Sequence, residues 1–298
     1  MSDDLHSILT QAKQWLNQER LWDNQMYAKL PEPVRAQALP QPRTAAAVPA
    51  PVMAAAAPAP RPVPSVALAV DPSKVTALEA LHEKYKGCVR CPLGPSRIRF
   101  VFGVGNPNAP VMFIGEGPGY EEDRRGEPFV GKAGQLLDKM MAAVGLSRQT
   151  NAYIANIVKC HPMTDPTTPD ARGNDRPPTP EEVATCSPIL LRQIAVIRPK
   201  AIVTLGSPST KMILKTMEGI SKIRGKLAPF PVDAFYPETL PVGASDDDAP
   251  PVLDAATREA LRAIQVLPTY HPAALLRNPN LKGDSWADLK LLRDNFLK

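Results

Sequence analysis

The 298-residue chain has no apolar run near the roughly eighteen residues that a membrane-crossing helix needs. Cysteine is scarce: four residues are far too few for a disulfide scaffold of this length, and they remain available as reduced metal ligands. The N-terminal MSDDLHSILTQAKQWLNQERLW is acidic at its start and lacks an unbroken apolar segment. It does not read as a secretory signal, so a soluble, cytoplasmic chain is expected, with no membrane partner. Histidine is also rare, at four residues, and phenylalanine stands at seven, so the place of each is informative.

Proline is abundant. The 35 prolines make up about 12% of the chain, more than double the roughly 5% of average usage. Eleven lie between Pro31 and Pro72, in a stretch dominated by Ala and Val that can form neither a packed helix nor a sheet. Residues 30–73 are therefore expected to be a disordered or polyproline-like linker. Before it, Leu5, Ile8, Leu9, Ala12, Trp15 and Leu16 recur at helical spacing within residues 1–29. Two readings stand for that helix: packing on the main domain, or docking to another protein such as a replication or repair factor. The folded part is expected to span residues 74–298, enough for one substantial core.

Charge is uneven. Residues 228–258 carry six acids against one arginine, whereas residues 75–227 and 259–298 together carry 27 basic and 18 acidic side chains. A basic body of this kind suits a polyanionic partner, without separating DNA from RNA or nucleotides.

From Ser73 the pattern becomes regular. Four apolar runs, at 110–116 (PVMFIGE), 152–159 (AYIANIVK), 201–206 (AIVTLG) and 264–271 (IQVLPTYH), alternate with helical stretches at 132–144, 180–197, 207–217 and 285–297. Strands that are apolar throughout are buried on both faces, so the pattern predicts a four-stranded, mainly parallel sheet between helices: an α/β/α sandwich. Ligands bind such sheets at the carboxyl ends of the strands. Glu116, Asn156 and His271 all fall there.

Cys88 and Cys91 form C-x2-C, with Cys160 after the second run and Cys186 in the helix that follows. The pattern favours a metal site over four unrelated cysteines, and structural zinc and an iron–sulfur cluster both stay open. The loop GEGPGYEEDRRGEPFVGKAG, from Gly115 to Gly134, has neither the GK[ST] of a phosphate loop nor a dinucleotide fingerprint. Glu116, flanked by glycines, is placed as a catalytic carboxylate. Phe129 suits either the core or a platform for a planar ligand. Among the histidines, His161 adjoins a ligand cysteine and is expected to be exposed or to support its neighbour. His271 stands beside a proline that fixes its turn. Leu275, Leu276 and Arg277 suit core packing or a wedge into a base stack.

In order along the chain, GCVRCPL, GEGPGYEED, EPFVGKAGQLLD, YIANIVKC, PTPEEVATC, IVTLG and LPTYHPAALLRNP resemble family 4 uracil-DNA glycosylases. The resemblance implies an enzyme that flips uracil from DNA and hydrolyses its N-glycosidic bond, opening base-excision repair. It implies a [4Fe-4S] cluster on Cys88, Cys91, Cys160 and Cys186. Phe129 would stack on uracil, Asn156 would bond its Watson–Crick edge, Glu116 would position or activate water, and His271 would hold O2. Exclusion of thymine would fall to Gly117 or Tyr120, and Leu275, Leu276 and Arg277 would contact DNA. A monomer is expected. The chain departs from the family pattern in its N-terminal extension and in insertions near 163–176 and 228–263. A related branch traps uracil on a histidine in an Arg-rich loop after the second strand; no such histidine follows His161 here, so ordinary turnover is expected. The competing readings are a non-catalytic iron–sulfur or zinc DNA-binding module associated with a polymerase, and a phosphate-handling enzyme.

Overall fold

Strands β2 (Val111–Gly115), β3 (Ala152–Asn156) and β4 (Ala201–Leu205) are buried at every residue, and β6 (Gln265–Thr269) at all but its first. The structure, a computed structural model, describes residues 71–239 and 249–297. The expected N-terminal helix, the linker before Asp71 and the acidic run 246–248 lie outside the described residues.

The four expected strands pair in parallel, in the order β3-β2-β4-β6. Two antiparallel edge strands of two residues each, β1 (Val104–Gly105) beside β3 and β5 (Ala228–Pro229) beside β6, make the sheet six-stranded rather than four-stranded. Pro268 is tolerated inside β6 because pairing with β5 involves only Gln265 and Val266.

Alternation along a strand sends successive side chains to opposite faces. Val111 and Phe113 of β2 enter one core with Leu137 and Met141 of helix α4 (Lys132–Ala142) and Leu289 and Leu292 of α10 (Lys282–Phe296). Met112 and Ile114 enter the other, with Leu78 and Tyr85 of α1 (Pro72–Tyr85) and Ile189 and Leu190 of α5 (Pro180–Ile197). The result is the expected three-layer sandwich. Helix ends follow local chemistry. Asp71 caps α1 by accepting from Ser73 N, with Pro72 in the first turn. Thr179 and Glu182 form a reciprocal capping box on α5. Among the described residues no helix is long and apolar enough to cross a membrane.

The segment from Ala228 is more than an acidic insertion. Phe230, Val232, Phe235 and Tyr236 are buried in the second core, with the Phe230 and Phe235 rings stacked at 5.5 Å. The Tyr236 hydroxyl donates to Leu191 O at 2.7 Å. Helix α8 (Ala255–Arg262) follows, and its Arg258 and Arg262 pair with Asp233. Tyr236→Ala should therefore lower stability by about 3–5 kcal/mol, read as a reduced urea midpoint at unchanged slope. A change below about 0.5 kcal/mol would mean the segment is surface decoration.

Candidate active site

The carboxyl ends of β2, β3 and β6 open onto a cavity of about 430 Å³. Glu116, Gly117, Phe129, Asn156 and His271, five residues from four separate chain segments, line it together. Pro162, Asp175, Arg176, Pro177 and Pro178 line it as well, so the 163–176 insertion ends in the pocket.

The floor is set by register. Gly115 pairs with Asn156 across the β2–β3 ladder. A side-chain carbon on Gly115 would lie 2.5 Å from Asn156 Oδ1 and 2.6 Å from the tip of the Phe129 ring. Only glycine permits both groups to pack there. Phe129 adopts φ 54°, a left-handed conformation rare for an aromatic residue. Both flanks of that turn are pinned. Buried Arg148 donates from Nη1 to Pro128 O at 2.9 Å and from Nη2 to Phe129 O at 2.7 Å, and it pairs with Asp138. The Glu122 carboxylate accepts from Val130 N at 2.9 Å, Gly131 N at 3.0 Å and Gly119 N at 3.2 Å, tying the two halves of the glycine-rich loop. Gly134 must also lack a side chain, which would overlap Phe129 O at 1.8 Å. Arg148 and Glu122 carry no distinctive sequence signal; only the EPFVG turn hints that something must hold it.

His271 caps helix α9 (Pro272–Arg277): its Nδ1 accepts from Ala273 N at 3.1 Å. That bond selects the tautomer with hydrogen on Nε2. Burial, with a smaller contribution from the Arg277 charge, pulls the ring down to a pKa of about 4, so it is neutral at physiological pH. Its ring lies 5.5 Å from that of Phe129. Behind it, buried Asp288 accepts from the Thr269 hydroxyl at 2.7 Å and pairs with Arg224, steadying the end of β6.

Asn156 is 1% exposed, and among the described residues its Oδ1 has no hydrogen-bond partner. Beneath it, fully buried Lys159 donates from Nζ to Asn156 O at 2.8 Å and to Gln193 Oε1 at 2.7 Å. Burial draws Lys159 down to a pKa of about 7, against the opposing pull of the Cys186 and Cys160 thiols. Glu116 is half-buried at the cavity wall.

Gly117 leaves the cavity wall to main chain, since a side chain there would meet Val158 Cγ2 at 2.8 Å. Tyr120 instead lies beneath the guanidinium groups of Arg124 and Arg172, each 4.6 Å from its ring. His161 is fully buried rather than exposed: Nε2 bonds Asp175 at 2.6 Å, and Nδ1 is 3.8 Å from Asp123. Burial opposes its protonation, but the two carboxylates outweigh it and raise the ring to about 9. Arg176 donates to both oxygens of Glu182 and to Met163 O, which fixes the insertion against α5. Leu275 is 1% exposed and belongs to the core, which corrects its expected place at a DNA surface. Leu276, at 45% exposure, and Arg277 face outward.

The four cysteines lie outside the cavity lining. Cys88 and Cys91 are half-buried in the turn between α1 and α2 (Leu93–Ser96), while Cys160 and Cys186 are buried. N–H donors approach three of the sulfurs: Arg90 Nε at 3.4 Å from Cys88, Arg97 Nη1 at 3.6 Å from Cys160, and Lys159 N at 3.3 Å from Cys186. Burial raises the thiol pKa of Cys160 to about 12 and of Cys186 to about 11, and the neighbouring cysteines add to both shifts. Among the described residues, no three His, Cys, Asp or Glu side chains are arranged to hold a single metal ion.

A sequence profile of the Uracil DNA glycosylase superfamily matches residues 102–290. The chain is 39% identical over 223 residues to a type-4 uracil-DNA glycosylase of Sulfurisphaera tokodaii, covering 73% of this chain and 84% of that protein. It is 34% identical over 218 residues to one of Archaeoglobus fulgidus, covering 72% and 90%. It is 37% identical over 202 residues to one of Thermotoga maritima, covering 67% and 84%. The chain belongs to the type-4 uracil-DNA glycosylases of the uracil DNA glycosylase superfamily.

Proposed function

We propose that this protein hydrolyses the N-glycosidic bond of uracil in DNA, leaving an abasic site for base-excision repair. The observation that carries the reading is the unpartnered, buried Asn156 Oδ1 in a cavity shared with Phe129 and His271. A buried acceptor left unpaired costs about 1–3 kcal/mol, and the N3–H of a bound uracil offsets that cost. The amide nitrogen donates to uracil O4. Cytosine presents the reverse pattern and is rejected.

Phe129 stacks on the extruded base, and the main-chain wall at Gly117 lies where a thymine methyl group would intrude. As the glycosidic bond breaks, uracil takes the electron pair and becomes an anion, while the sugar gains oxocarbenium character. The neutral Nε2–H of His271 donates to O2 and stabilises the developing negative charge. Glu116 faces the sugar and positions the attacking water. Extrusion costs a few kcal/mol, less for a mismatched U·G pair. Leu276 fills the vacated stack, with Arg277 beside it on the DNA. A non-catalytic DNA-binding module would have no need of this convergence.

Cys88, Cys91, Cys160 and Cys186 are the residues that would hold a [4Fe-4S] cluster. The donor set fits one: the four thiols lie near enough for Cys88, Cys91, Cys160 and Cys186 to bear on one another's ionisation, and N–H groups approach three of them. Holding it, these four residues would cross-link the α1–α2 turn, the exit of β3 and α5.

Alkali cleavage of oligonucleotides should reveal abasic sites from U·G and U·A but not T·G duplexes. Asn156→Asp should slow single-turnover uracil release by about 10²-fold or more, since it loses a donor and adds a charge that repels the leaving anion. An unchanged rate removes Asn156 from its role. Protein purified anaerobically should be brown, with about four iron atoms per chain; a colourless zinc protein would overturn the cluster assignment. The His271 ring titrates near pH 4 when folded and near its ordinary 6.5 when unfolded. The unfolded chain therefore binds the extra proton between those values, and the His271 contribution to stability falls as pH drops from about 6.5 to about 4. Comparing urea midpoints of wild type and His271→Gln across that window tests the sign, and a constant difference refutes it.

A further inference from the structure

Lys159 is fully buried, and the chemistry above makes no use of it. Burying an amine costs several kcal/mol, and a methionine would occupy similar volume without that cost. What lysine adds is donors, and their targets are specific. Nζ reaches the main-chain oxygen of Asn156 at 2.8 Å and Gln193 Oε1 at 2.7 Å. The Gln193 amide is itself oriented, because its Nε2 donates to Phe102 O at 3.0 Å and to the Tyr153 hydroxyl at 3.3 Å. Its oxygen therefore turns to Lys159, giving the amine a fixed support on α5.

The other target lies at the end of a strand. Asn156 is the last residue of β3; Ile157 N and Val158 N beyond it still donate to Gly115 O and Glu116 O, and Lys159 adds its bond at the Asn156 carbonyl, where the regular strand ends. Its side chain must nevertheless hold one direction between Gly115 and the cavity. Lys159 also reaches the cysteine site, with its main-chain N–H 3.3 Å from Cys186 Sγ. One residue thus touches the pocket on one side and a cluster ligand on the other.

We propose that Lys159 is a positioning residue that braces the Asn156 main chain against Gln193, linking the cysteine site to the amide that reads the pyrimidine. This rests on the role given to Asn156 under the proposed function. Without the brace, the Asn156 amide samples directions that do not match the uracil edge, and discrimination weakens together with rate.

The test is a double-mutant cycle on the iron-loaded protein: Lys159→Met, Lys159→Gln, Asn156→Ala and the two double variants. Single-turnover uracil release, inhibition by free uracil, iron content and thermal midpoint are measured for each. Lys159→Met should keep its iron yet release uracil about ten- to a hundredfold more slowly, with weaker inhibition by free uracil. In the Asn156→Ala background the same change should cost less than about threefold. Lys159→Gln, which keeps a donor, should recover part of the loss. Equal losses in both backgrounds would overturn the role of Lys159 while leaving that of Asn156 intact. Loss of iron or fold in both Lys159 variants would show a purely structural residue and overturn it as well. An Asn156→Ala protein as fast as wild type would instead refute the reading of Asn156 itself, and the brace with it.

Discussion

The missing side chain at Gly115 is the constraint around which the pocket is built. Parallel pairing brings Asn156 beside Gly115, and the Phe129 ring closes over the same point. An alanine there would displace both groups at once. To reach this position Phe129 takes a left-handed backbone, a conformation that costs about 1–3 kcal/mol for a residue of its kind. Arg148 holds the carbonyls on one side of the strained turn, and Glu122 holds the amides on the other. At about 1 kcal/mol net for each hydrogen bond, those four contacts match the strain they secure. The aromatic platform is thus fixed before any ligand arrives, which spares binding the cost of ordering it.

The scaffold was legible because burial on both faces leaves continuous apolar runs, which the four parallel strands display. Glu116, Asn156 and His271 were legible for the related reason that parallel sheets present their chemistry at strand ends. Other features were hidden, each for its own physical reason. Arg148 and Glu122 resemble surface charges in a sequence, since their partners are main-chain atoms many residues away. Lys159 reads as a polar end to a strand, although it is fully enclosed. Leu275 and Leu276 are identical in type, and only the helical phase of α9 sends one to the core and the other to solvent. Two-residue edge strands fall below any periodic signal. In the 228–263 segment, acids and prolines obscured Phe230, Phe235 and Tyr236, whose burial makes that region part of the domain core.

The insertion at 163–176 shows how a loop becomes part of a site. Asn174 closes it on itself, accepting from Asp165 N and donating to the carbonyls of Asp165 and Thr168. Arg176 then anchors it to the start of α5 through Glu182, and protonated His161 holds Asp175. These contacts place prolines 177 and 178 against the cavity, where their rigid rings form a wall that needs no further ordering. The same contacts qualify the argument from net charge. Arg148, Arg176 and Arg224 are held by carboxylates and carbonyls inside the fold, so the basic excess overstates the charge presented to a polyanion.

That restraint extends to the pocket itself. Departure of uracil separates charge, negative on the base and positive on the sugar. A cationic His271 in the same cavity as Glu116 would attract the carboxylate and weaken both groups for their tasks. Burial prevents this by keeping the imidazole neutral, while the bond from Ala273 N leaves its hydrogen on Nε2. The ring then contributes a dipole rather than a charge. Under the proposed mechanism it stabilises the departing base without transferring a proton, and leaves Glu116 to act on the sugar. The sheet brings Asn156, His271 and Glu116 to one cavity, and the division of labour we propose, neutral donors for the base and a carboxylate for the sugar, uses that placement.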